Sequence, residues 1–145
     1  LIANAQYILR KYPNDSIEVL IDLKMENISY VISLLSDSKG NLWFGTFDQG
    51  LFRLNNGVLE NYQEENGLIN NNVMTLHEWN NAIWCGTLGG LCKLEVINDT
   101  IQFKSFSEEE GLYAAYIYQL NSTSDILYIA SDGEGLLTYD VNSFK

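Results

Sequence analysis

Three stretches of the chain read almost alike: GNLWFGTFDQGLFRL (40–54), NAIWCGTLGGLCKL (81–94) and DILYIASDGEGLLTY (125–139). Each carries an aromatic, a small residue, a Thr or Ser, a short polar turn and a Gly-Leu pair. The anchors Trp43, Trp84 and Tyr128 recur at a period of about 40–45 residues, with several short strands in each unit. That is the sequence mark of propeller blades built from four antiparallel strands.

Within each unit an apolar run (31–35, 73–76 and 117–120) reads as a first strand, followed by a turn rich in Ser, Asp and Asn. The second strand carries Trp43, Gly45 and Thr46, or Trp84, Gly86 and Thr87, or Tyr128 and Ser131. The third begins at Gly50-Leu51, Gly90-Leu91 or Gly135-Leu136, and the fourth lies near 59–62 or 101–106. These repeat positions are expected to specify the fold. The aromatic fills the space between blades, and the small residue after it admits a neighbouring sheet. EEEGLYAAYIYQL (108–120) has helix formers, but Gly111 and the Tyr and Ile content favour strand. The expected division is residues 1–26 as the back half of a preceding blade, 27–68 and 69–112 as full blades, and 113–145 as an incomplete one. About three and a half blades result, an excerpt of a larger, seven-bladed ring.

Composition narrows the function classes. The chain has 145 residues, 46% of them hydrophobic, which supports a packed core. Nineteen acidic against eight basic residues give a net charge of −11, which repels phosphate backbones and anionic lipid. Nucleic acid and direct membrane contact are therefore not expected, whereas neutral or cationic ligands and protein partners are. Cys85 and Cys92 stand where other units carry Phe44 and Phe52, or Ile129 and Leu137, so they read as core thiols.

DSKGNLWFGT followed by GLFRL, then NYQEENGLINNNV, resembles the two-component regulator propeller repeat. The resemblance runs from about Tyr7 to Asp140, strongest in the first full unit and weakest where Tyr128 and Ala130 replace Trp and Gly. It implies the ligand-sensing segment of a membrane-bound histidine kinase, on the periplasmic or extracellular side. It further implies an oligosaccharide-like ligand, no cofactor and no catalysis. The remaining blades of the same protein, or a second copy, would complete the ring.

In such a ring the loops joining one blade to the next share a face with the turns between second and third strands. Candidate ligand-binding residues on that face are Tyr30, Asp48, Asn70, Asn71, Asn72, Tyr113, Tyr116 and Glu134. Aromatic faces beside amides and carboxylates suit a sugar, although Asn and Asp also populate turns for conformational reasons. His77, the one histidine, has no evident Ser or Cys partner in sequence and is expected to line the channel. Trp79 either marks a contact surface or folds back over the sheet edge. Neither a catalytic nor a metal-binding motif is present. A protein-docking propeller and, more remotely, a carbohydrate-active enzyme stand as alternatives.

Overall fold

The computed structural model describes residues 1–98 and 100–145. Among the described residues, fourteen strands form four antiparallel sheets in chain order. The first sheet holds β1 (Ile2–Ala3), β2 (Tyr7–Lys11) and β3 (Ile17–Asp22). The second holds β4 (Val31–Ser36), β5 (Leu42–Thr46), β6 (Leu51–Asn55) and β7 (Val58–Tyr62). In the third are β8 (Val73–Trp79), β9 (Ala82–Thr87), β10 (Gly90–Ile97) and β11 (Thr100–Phe106). The fourth comprises β12 (Ile117–Ser122), β13 (Leu127–Ser131) and β14 (Gly135–Tyr139). Each sheet is a meander of neighbouring strands. The first strand β8 packs against β4 on one side and β12 on the other, so successive sheets radiate from a common inner edge. The chain is thus a partial β-propeller.

The repeat positions explain the stacking. Trp43 is fully buried between the second and third sheets, in a cluster with Leu51, Val73, Leu76, Cys85 and Leu94. Trp84 fills the corresponding space between the third and fourth sheets, with Leu91, Ile117, Leu127 and Ile129. Burying one such indole removes roughly 150–250 Å² from water, a gross gain of about 4–6 kcal/mol. On the opposite face of the same strands, Phe44 pairs with Phe52 and stacks on it at 5.0 Å between ring centroids. Cys85 faces Cys92 and Ile129 faces Leu137 at the equivalent ladder positions. Both thiols are free and buried, and burial pushes both pKa values up. Thr46 and Thr87 close the next turn by donating their hydroxyls to the carbonyls of Gly50 (2.7 Å) and Gly90 (2.8 Å). Ser131 does so to Gly135 at 3.2 Å.

Two details depart from expectation. The first 26 residues contain three strands, because Ile2–Ala3 pairs with Leu9 and Ile8 ahead of the two strands foreseen. Residues 108–120 are not all strand: Glu108–Glu110 form a single 3-10 turn, and β12 starts only at Ile117. Ser107 and Glu110 cap each other reciprocally, and Gly111 closes the turn at φ 86°. Gln63 and Asn66 do the same ahead of Gly67 in the preceding crossover.

Trp79 is 5% exposed, packed on Trp84 at 5.8 Å, with its indole N–H on the Thr123 carbonyl at 2.9 Å. It folds back over the sheet and seals the next inter-sheet core.

Candidate functional site

The three crossovers (23–30, 63–72 and 107–116) and the turns between second and third strands lie together on one face, joined by backbone hydrogen bonds. Phe47 N–H donates to the Tyr30 carbonyl at 3.0 Å, Leu88 N–H to Asn72 at 3.2 Å, and Asp132 N–H to Tyr116 at 3.0 Å. Each donor follows a second strand and each acceptor precedes a first strand, so Tyr30, Asn72 and Tyr116 are one position repeated in three sheets. Gly50 N–H adds a bond to the Asn71 carbonyl at 2.9 Å. Gln49, which sequence reasoning did not single out, accepts from Ser29 N–H at 2.7 Å and donates to the Asn27 carbonyl at 2.9 Å. Its half-buried amide staples a turn of the second sheet to the crossover entering it.

The candidate residues divide by what their side chains already do. Tyr30, Tyr113 and Tyr116 are 74%, 66% and 50% exposed, and Asp48 and Glu134 are exposed as well. Asn71 is engaged in the crossover itself: its Oδ1 accepts from Glu64 N–H at 2.9 Å, and its N–H donates to Glu64 Oε1. Asn70 Oδ1 accepts from both the backbone and the side-chain amide of Asn72. These asparagines shape the loop, as short polar side chains do in turns. Tyr30 sits at φ 53° and Asp48 at φ 79°. The left-handed region is unusual for a ring as bulky as tyrosine.

Beside Tyr30 the same face is hollow. A groove of about 530 Å³ is lined by Ala5, Gln6, Lys24, Asn27, Ile28 and Ser29. One wall, Ala5 and Gln6, comes from the short turn after β1, a strand of two residues too brief to leave a periodic signal; the rest comes from the crossover into the second sheet. Exposed carboxylates crowd the face: Glu64 and Glu65 in one crossover, Glu108, Glu109 and Glu110 in the next, with Asp132 and Glu134 in the last turn. Donation from the Ser107 backbone and hydroxyl holds the Glu110 carboxyl below its ordinary pKa.

The opposite face holds the acid of the DSKGN turn. Asp37 is buried; its Oδ1 accepts from Lys39 N–H (3.0 Å) and Asn41 N–H (2.7 Å). Its Oδ2 accepts from the Asn41 amide (2.7 Å) and the Trp43 indole (2.8 Å). Asn41 Oδ1 in turn accepts from Nε and Nη2 of Arg53, whose guanidinium lies over the Trp43 ring at 5.4 Å. Burial alone would raise the Asp37 pKa; the indole, amide and backbone donors outweigh it, and the net shift is down. The arrangement is a turn lock in which four donors engage the one carboxylate.

His77 has a partner that the sequence did not reveal: Nε2 lies 2.8 Å from Ser122 Oγ on the next inner strand, bridging β8 to β12. Burial lowers its pKa, partly countered by Glu78, so the folded state favours the neutral ring. The unfolded chain takes up a proton near pH 6.5 that the folded chain resists. Stability is therefore complete above that pH and declines as pH falls toward the folded-state value. Urea midpoints measured from pH 7.5 downward should fall more steeply for wild type than for His77→Gln. Equal slopes would mean the histidine titrates freely in the fold. Among the described residues no three His, Cys, Asp or Glu side chains are placed to share a metal ion.

Residues 26–48 match the family model of the two component regulator propeller. No curated protein matches the sequence. Among solved structures, the extracellular domain assigned to a hybrid two component system, BT3049 of B. thetaiotaomicron, is similar with a TM-score of 0.71 and 19% identity. The match covers 96% of this chain and 20% of that one. The extracellular domain assigned to a one component system of the same organism, BT4673, gives a TM-score of 0.66 and 14% identity, over 97% of this chain and 24% of that one. The chain thus spans about a fifth to a quarter of each of these relatives, and the likeness is one of fold. The segment that matches the two component regulator propeller model lies within a partial propeller.

Proposed function

We propose that the chain is a ligand-reading propeller segment of a two-component sensor, placed outside the cytoplasm, and that its ligand is an oligosaccharide bound without turnover. The carrying observation is the loop face. Three exposed tyrosines stand on two crossovers, Tyr30 on the one entering the second sheet and Tyr113 and Tyr116 on the one entering the fourth, and hydrogen bonds to the adjoining turns hold the backbone of both in place. Rigid aromatic surfaces flanked by fixed polar groups suit a molecule with alternating C–H and hydroxyl faces. The repeat at 26–48 and the likeness to extracellular sensor domains support the same reading.

A ligand lying across crossovers of successive sheets would favour one arrangement of the blades over another. A signal can then be no larger than the difference in affinity between those arrangements. Catalysis finds little support here, since the His77–Ser122 pair bridges two inner strands and Asp37 is engaged by four donors.

Titration of the chain with a panel of oligosaccharides of differing composition tests this directly. At least one should raise the melting temperature saturably, and chromatography should return the sugar at its original length. Shortened sugar after incubation would replace the sensor reading with an enzymatic one.

A further inference from the structure

Each inner strand breaks its ladder at the same place. Pairing runs from Val31↔Thr46 to Ser33↔Gly45, from Val73↔Thr87 to Thr75↔Gly86, and from Ile117↔Ser131 to Gln119↔Ala130. The skipped residues are Ile32, Met74 and Tyr118. A bulge sacrifices ladder pairing and re-aims a side chain, and such bulges concentrate beside binding sites. Ile32 and Tyr118 are 45% and 49% exposed and Met74 is half-buried, so the first two contribute little to the core. Two residues earlier, immediately ahead of these strands, stand Tyr30, Asn72 and Tyr116, the repeated position that caps each adjoining turn through its carbonyl. Tyr30 combines its left-handed backbone with 74% exposure. Such a conformation costs free energy in a bulky residue, and strain of this kind gathers at functional positions.

From this we infer that the ligand seat is the inner rim of the loop face, formed by Tyr30 and Ile32, Asn72 and Met74, and Tyr116 and Tyr118, and that it selects neutral sugars over sulfated or uronic ones. The inference rests on the saccharide-sensor reading above. Because β4, β8 and β12 pack side by side, one sugar chain laid across them meets an equivalent pair on each. The charge selection follows from the surroundings. Glu64, Glu65, Glu108, Glu109, Glu110 and Glu134 ring the face, and a polyanion would meet like charge from two crossovers and a turn.

The test uses the intact chain and two sets of probes. Cello-, xylo-, manno- and malto-oligosaccharides are the neutral set; oligogalacturonate and a heparin fragment are the anionic set. Calorimetry should find binding within the neutral set, unchanged by added salt, and none within the anionic set. Tyr116→Ala and Tyr118→Ala should each weaken that binding about tenfold or more. Both positions are exposed, so melting temperatures should stay near wild type. Tyrosine ring resonances of the wild-type chain should shift on saturation, a readout independent of any variant. Neutral binding that both variants retain, with unshifted tyrosine resonances, would place the seat elsewhere. Preferential binding of the anionic probes would overturn the selectivity. Binding of neither set would remove the saccharide reading itself, and the seat with it.

Discussion

Replacing Asp37 with alanine should lower the free energy of unfolding by about 3–5 kcal/mol. The carboxylate is the common acceptor for four donors, three of them on Asn41 and Trp43 in the interior of the second sheet. Removing it leaves the Trp43 indole N–H and the Asn41 amide groups buried without partners, at about 1–3 kcal/mol each before relaxation. Asn41 would then orient the Arg53 guanidinium less well, loosening its seat over the Trp43 ring. Asp37→Asn is the sharper control. It keeps the shape but turns an NH2 group toward two donors, so it should recover less than half of the loss. Urea denaturation with an unchanged m-value reports both changes. A loss below about 1 kcal/mol for Asp37→Ala would mean that water replaces the carboxylate, and that the turn is not locked as the geometry indicates. Acid should act in the same direction. A carboxyl held below its ordinary pKa contributes stability above about pH 4 that disappears as the pH falls through the folded-state value.

That turn also shows where a single sequence is readable and where it is not. The aromatic, small residue and Gly-Leu spacing exposed the blades because the same packing problem is solved at each inter-sheet boundary, so the solution recurs in the letters. Asp37 escaped as a lock because the later units solve it differently. Trp84 donates its indole N–H to the Trp79 carbonyl at 3.2 Å, with no acid involved. A device present once leaves no periodic trace. The inner-strand bulges are illegible for another reason: an extra residue in one strand preserves the apolar run and changes only its pairing. The 3-10 turns were legible in principle, since Ser107, Glu110 and Gly111 spell a capping box with a glycine stop. β-favouring residues downstream drew the reading toward strand. At the candidate site, residue type alone could not separate Asn70 and Asn71, which fold their own loop, from Tyr30 and Tyr116, which stand free.

The close approach of successive sheets gives the second large effect. Gly45 lies on β5 where a Cβ would come within 2.6 Å of both the Val73 carbonyl oxygen and a Val73 methyl, and 2.5 Å of Ser33 Oγ. Its backbone is not in the left-handed region, so the requirement is space. Gly45→Ala should therefore cost about 3 kcal/mol, at the upper end for overpacking, because a backbone carbonyl on the neighbouring sheet cannot rotate aside. Gly86 occupies the same position on β9 of the third sheet, but its obstruction consists of side chains: Ile117 Cγ2 at 2.5 Å and Thr75 Cγ2 at 2.6 Å. Gly86→Ala should be milder, about 2 kcal/mol, and partly relieved in the double variant with Ile117→Ala. The corresponding pair, Gly45→Ala with Val73→Ala, should show much less relief, since the carbonyl remains. Ala130 holds the equivalent position on β13 and is exposed, so Ala130→Gly should change stability by less than about 1 kcal/mol. Chemical denaturation of the five variants and their two doubles measures the whole set. Equal costs at Gly45 and Gly86, or equal relief in both doubles, would show that the sheets can move apart as rigid bodies. The contrast between a backbone obstacle and a side-chain obstacle would then lose its meaning.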